Sequence, residues 1–105
     1  MASRRQAHLA RADRIADDLI AQLRDLPGVI EIYSEHGPPG VIVTAFVESD
    51  EAERAAIGLE LDMARRIMPD VCVDLRVYKP TADVRADYRA AVPDTLEWAR
   101  DEQGA

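Results

Sequence analysis

The sequence predicts an α+β two-layer sandwich, a small mixed sheet with helices packed on one face. Three observations carry this. Apolar residues recur at spacings of three and four from Leu9 to Leu26. The run from Val41 to Val47 is apolar on both faces. Val71, Val73, Leu75 and Val77 alternate with Cys72, Asp74, Arg76 and Tyr78. A helical period thus gives way to strand periods within one short chain, in the order helix, strand, strand, helix, strand, helical tail.

The first helix opens at Ser3-Arg-Arg-Gln6, which has the form of a capping box, and its stripe is Leu9, Ala12, Ala16, Leu19, Leu23 and Leu26. Pro27-Gly28 ends it. Val29, Glu31 and Tyr33 then alternate with Ile30, Ile32 and Ser34 as a short strand, and Val41–Val47 follows as a strand for the centre of a sheet. Asp50-Glu-Ala-Glu53 repeats the capping logic, with Asp50 as cap, and a helix is expected from there to Met68, stopped by Pro69. This helix crosses over, so that the third strand lies parallel to the second while the first two form a hairpin. Beyond Lys79-Pro80, helical spacing in Val84, Tyr88 and Ala91 breaks at Pro93. A last helix capped by Asp94, with Glu97 at the box position, is expected to be pinned to the body by Trp98.

At 105 residues and 48% hydrophobic content, the chain has the size of one domain spanning residues 1–105. No apolar stretch reaches the ~20 residues that cross a bilayer, and "MASRRQAHLARADR" lacks the apolar segment of a signal peptide, so a cytoplasmic, bacterial-type protein without membrane contact is expected. Cys72 is the only cysteine, which excludes an intrachain disulfide or a thiolate metal cluster; no cofactor or metal is expected. Thirteen basic against twenty acidic residues give a net charge of −7, which disfavours nucleic acid as a partner. The charge is uneven. Arg4, Arg5, Arg11 and Arg14 against Asp13 make the first fourteen residues net +3, whereas residues 27–69 are net −5.

Gly37-Pro-Pro-Gly40 joins two strands. A Gly-x-x-Gly loop that clamps nucleic acid in KH domains sits between helices, and two prolines remove the N–H groups that would cradle a phosphate, so this loop is read as a chain reversal. Glu35 and His36 beside it have the chemistry of an acid/base or metal pair, but no His-x-x-x-His or cysteine partner accompanies them, and a surface role for His36 is expected. Glu60 stands near the middle of a wide apolar arc formed by Ala56, Ile57, Leu59, Leu61, Met63, Ala64, Ile67 and Met68. A carboxylate there needs a partner, a cavity or a seam between two contacts, and Arg76 or His36 is available as a partner. The arc is wider than one sheet contact consumes, which makes Ile57, Leu61, Ala64 and Met68 candidates for a subunit interface. Asp74 and Arg76 share the polar face of the third strand.

"LRDLPGV" with "IEIYSEHG", and "VDLRVY" further on, give residues 23–78 a resemblance to the small nucleotidyltransferases of the antitoxin type. The resemblance implies their helix, Leu-Pro-Gly-Val turn and first strand, with Asp74 in the place of their third metal-binding carboxylate. The chain departs from that family where it needs a Gly-Ser pair, having Ser34-Glu35-His36-Gly37, and where it needs Asp-x-Asp, having Val41-Ile-Val43. Without that pair two metal ions and a triphosphate are not held. The expected function is therefore a non-enzymatic interaction or accessory module that forms a homodimer and binds a protein partner. The alternative is a small-ligand or enzyme-like domain, such as a degenerate nucleotidyltransferase, using Glu60, Asp74, Arg76 and His36.

Overall fold

The helix α1 (Arg4–Arg24) lays Ala12, Ala16, Leu19 and Leu23 on the sheet, all buried, in the stripe the spacing predicts. The computed structural model describes residues 4–37, 40–64 and 72–100, with side chains over 12–36, 40–62 and 73–100. Ser3 of the expected capping box and the prolines of the Gly-Pro-Pro-Gly loop lie outside the described residues. Past α1 the chain tightens through Asp25 N–H to Gln22 C=O and Leu26 N–H to Leu23 C=O bonds of 3.2 and 3.1 Å, and Gly28 turns it with φ +88°. Strand β1 (Val29–Gly37) pairs antiparallel with β2 (Gly40–Val47) as a hairpin with Gly37 opposite Gly40, so the chain reverses between these two glycines, where the sequence reading places a turn. Helix α2 (Asp50–Ala64) crosses over to β3 (Cys72–Tyr78), which lies parallel to β2. The remainder of the expected second helix, with Met68, lies outside the described residues.

The α+β class, the hairpin and the parallel third strand follow the sequence reading; the end of the chain does not. Helix α3 (Ala82–Ala91) is followed by a short 3₁₀ turn over Pro93–Thr95, and then Leu96–Ala99 form a strand, β4, instead of the expected last helix. Strand β4 pairs antiparallel with β1, giving an open four-stranded sheet of order β3-β2-β1-β4. The capping pattern at Asp94 and Glu97 was outweighed by the free edge of β1, whose backbone groups need partners. Trp98 does pin this segment to the body, but from a strand, half-buried against the main core.

A second departure is the position of α3. Helices α1 and α2 cover one face over Val29, Ile32, Val41, Val43, Ala45, Val47, Val73 and Leu75. Helix α3 covers the other, where Tyr88, Val92 and Leu96 pack on Ile30, Tyr33 and Phe46. A bulge explains why β1 serves both layers. Val29 opposes Val47 and Glu31 opposes Phe46, so Ile30 is an extra residue and the alternation resets. Ile32 consequently joins Val29 under α1, while Ile30, Glu31 and Tyr33 face α3.

Helix α2 is capped one residue earlier than the sequence suggests. Ser49 Oγ accepts the Ala52 N–H at 3.1 Å, and Asp50 instead pairs with Lys79. That pairing holds the Asp50 carboxyl below the usual range and raises the Lys79 ammonium. Thr81 caps α3 by accepting the Val84 N–H. Arg100 anchors the end of β4 with a two-pronged contact to Glu48, at 3.1 and 2.6 Å. None of the described helices is long and apolar enough to cross a membrane.

Candidate functional site

The face of the sheet under α3 carries a buried ionic network. Glu31 is fully buried there, opposite Phe46 in the register and under two arginines that stand one turn apart on α3. Arg85 Nε donates to Glu31 Oε1, Arg89 Nη1 lies 3.6 Å from Oε2, and the Tyr33 hydroxyl donates to Oε2 at 2.9 Å. Each carboxylate oxygen thus faces donors, which is the condition for holding such a group away from water. Tyr33 also stacks edge-on against Tyr88, with ring centroids 4.8 Å apart, so the same residue joins the ionic network to the aromatic cluster.

Burial, then the bond to Glu31, then the Glu31 charge push the Tyr33 phenol well above its ordinary value of 10.0, against the lowering influence of Arg89 and Arg85. Below pH ~10 both folded and unfolded chains keep the proton. Above it the unfolded phenol ionises while the folded one does not, so stability falls, by at most ~1.4 kcal/mol per pH unit for this one group. Urea unfolding at pH 8, 10 and 11 is expected to show a flatter alkaline decline for Tyr33→Phe than for the native chain. Equal slopes would mean that Tyr33 does not titrate differently in the two states.

Beside this network, between β3 and α3, lies a groove of about 390 Å³ lined by Thr44, Phe46, Arg76, Tyr78, Lys79, Pro80, Val84 and Tyr88. Phe46 forms its back wall, with Tyr88 and Tyr78 edge-on to it at centroid distances of 5.1 and 6.4 Å. The alternation of β3 places Arg76 and Tyr78 here while Val73 and Leu75 fill the opposite layer, as the sequence predicts.

The residues singled out from the sequence are dispersed. Asp74 and Arg76 pair with each other on the α3 side of β3 at 3.3 Å, both about half exposed. His36 stands opposite Val41 on the other face, where its Nε2 lies 2.7 Å from Asp13 Oδ1 of α1 in an exposed pair. Glu35, the next residue along the strand, points to the opposite side. Glu60 is half-buried on α2, in the helix layer, and among the described residues neither Arg76 nor His36 is its partner. The sheet therefore separates Asp74 and Arg76 from His36 and Glu60. The positions where the resembled family carries Asp-x-Asp hold Val41 and Val43, buried on the face opposite Asp74. Among the described residues no group of three His, Cys, Asp or Glu side chains is placed to hold a metal ion.

The site residues that sequence reasoning passed over are Glu31, Arg85 and Arg89. Only the arginines carried a signal, their four-residue spacing on one face of a helix. On α2, Ala52, Ala56 and half-buried Leu59 make the contact with the body, while Ile57 and Leu61 are 39% and 65% exposed. The side chain of Ala64, the last residue of α2, lies outside those described.

Comparison of the chain with protein-family models, with curated proteins and with solved structures finds no match.

Proposed function

We propose that the chain is a small non-enzymatic interaction module that self-associates through the outer face of α2. The exposure of Ile57 and Leu61 carries this reading. They lie four residues apart, so they form one stripe, and the helix needs neither to hold its place on the sheet. Isolated exposed apolar residues are ordinary, whereas a paired stripe on one helix is the form that helix-to-helix contacts take. A second copy of α2, placed antiparallel about a twofold axis, sets each stripe on its equivalent.

The same helix carries Asp50, Glu51, Glu53, Glu60 and Asp62 against Arg54, so two copies repel. Salt screens that repulsion, with a Debye length of ~10 Å at 0.1 M and ~3 Å at 1 M. The dimer is therefore expected to tighten as salt is raised from about 0.05 to 0.5 M, the opposite of an ion-paired interface. Light scattering at micromolar concentration should give twice the chain mass at the higher salt. Ile57→Asp or Leu61→Asp should give the single-chain mass with little change in thermal stability, because both side chains already meet solvent. A chain that stays monomeric across the salt range overturns the reading.

A further inference from the structure

Four large apolar side chains stand out as exposed among the described residues, and they fall into two pairs. Ile57 and Leu61 belong to α2. Tyr78 and Val84, 49% and 54% exposed, both line the groove between β3 and α3. We infer that this groove is a binding site for a small molecule that combines a flat aromatic ring with one anionic group, a carboxylate or a phosphate.

The charge of the lining is the first argument. The chain has twenty acidic and thirteen basic residues, yet Arg76 and Lys79 line the groove and no carboxylate does. Both cations have protein partners, Asp74 and Asp50, outside the lining. The Arg76–Asp74 pair is solvent-exposed, long at 3.3 Å and drawn from neighbouring positions of one strand, so it contributes little and yields readily to an anion that meets the guanidinium squarely.

The second argument is Thr44. It is 5% exposed and sits in the groove's lining on β2, and its hydroxyl enters no hydrogen bond among the described residues. No fully enclosed side-chain oxygen or nitrogen among those residues lacks a partner, so the Thr44 hydroxyl is not sealed from solvent, and the groove is the opening its residue lines. A threonine held at the base of an aromatic cleft beside an arginine supplies one donor and one acceptor to whatever enters. The third is shape. Phe46, Tyr78 and Tyr88 present rings on which a flat ring packs edge-on or offset, and the volume of about 390 Å³ falls within the ~300–1,000 Å³ of small-molecule sites.

The test is a ¹H–¹⁵N NMR titration of the full chain with benzoate and phenyl phosphate, beside benzyl alcohol as a ring without charge and inorganic phosphate as a charge without ring. Benzoate or phenyl phosphate, or both, should shift the amides of Thr44, Arg76, Tyr78, Val84 and Tyr88 saturably, and comparison of the two tells carboxylate from phosphate. Benzyl alcohol and inorganic phosphate should each bind at least tenfold more weakly than the better of them. Arg76→Gln should weaken binding about tenfold and Thr44→Val about threefold. Val84→Trp, at an exposed position that tolerates a larger side chain, should block the groove while leaving its charge intact. Ile57→Asp should bind as the native chain does, which separates this site from self-association. Shifts scattered over the surface, inorganic phosphate binding as well as phenyl phosphate, or full binding by both Arg76→Gln and Val84→Trp would overturn the proposal.

Discussion

Glu31→Ala is expected to lower the unfolding free energy by about 3 kcal/mol, the low end of the ~3–5 kcal/mol seen when one member of a buried ion pair is removed. The low end applies because Arg85 and Arg89 are each close to a third exposed, so water reaches both guanidiniums when the carboxylate is gone. Glu31 itself has no such freedom, since it is fully buried between β2 and β4. Glu31→Gln keeps an acceptor for the Tyr33 hydroxyl and should lose less. The informative companion is Glu31→Leu combined with Arg85→Met and Arg89→Met, which removes the charges together. Buried ion pairs replaced as a set by apolar residues are often neutral or stabilising, so this triple variant should recover most of the loss. Chemical denaturation measures the free energies, and near-ultraviolet circular dichroism of the Tyr33–Phe46–Tyr88 cluster reports whether α3 stays seated. A change below about 1 kcal/mol for Glu31→Ala, with the aromatic signal intact, would show that the network does not hold α3; such a value belongs to an ordinary hydrogen bond.

That network also marks the limit of what the sequence disclosed. The stripe of α1, the alternation of β3 and the hairpin were all legible, because each rests on a local period or on turn chemistry within a few residues. Glu31 was not, for two reasons. An acid in an alternating strand looks like a solvent-facing position, and the partner Arg85 lies 54 residues away. The bulge at Ile30 compounds the difficulty by resetting which residues share a face. Glu60 has its place in an apolar arc, but among the arc's described residues only Ala56 and Leu59 touch the body, with Ala52 beside them, and Glu60 stands half-buried. Strand β4 was misread for a related reason. Four residues carry a weak local preference, and what decides their conformation is the edge of β1, which no window around Leu96 contains.

Gly28→Ala is expected to cost about 2–6 kcal/mol, from two sources that can be separated. The backbone at Gly28 has φ +88°, where a side chain adds strain of order 1–3 kcal/mol. A Cβ placed there also comes 2.7 Å from the Cβ of Ala52, which is buried on α2, and relieving that overlap shifts the helix at a cost of order 1–3 kcal/mol. The Glu48 N–H bond to the Gly28 carbonyl, at 2.9 Å, resists the shift from the other side. Ala52→Gly alone should cost about 1 kcal/mol as a glycine in a helix. The double variant should then be less destabilised than the sum of the two singles, because the overlap is gone and only the dihedral strain remains. Strict additivity by thermal or urea unfolding would place the whole effect in the backbone and none in the approach of α2 to the turn.

The pairing of β1 with β4 has a consequence for how this chain matures. Strand β1 covers residues 29–37, yet one of its two neighbours is made from residues 96–99, so during synthesis it waits with an open flank until α2, β3 and α3 have emerged. Glu31 waits with it, since Arg85 and Arg89 arrive only shortly before β4. A nascent chain holding α1, the hairpin, α2 and β3 already has its main apolar layer, but it exposes an unsatisfied strand edge and a carboxylate without its cations. Such an edge is the feature by which incomplete sheets join to one another. Pairing with β4 therefore covers that flank of β1 in a step of long sequence separation, and leaves β3 and β4 as the two edges of the open sheet.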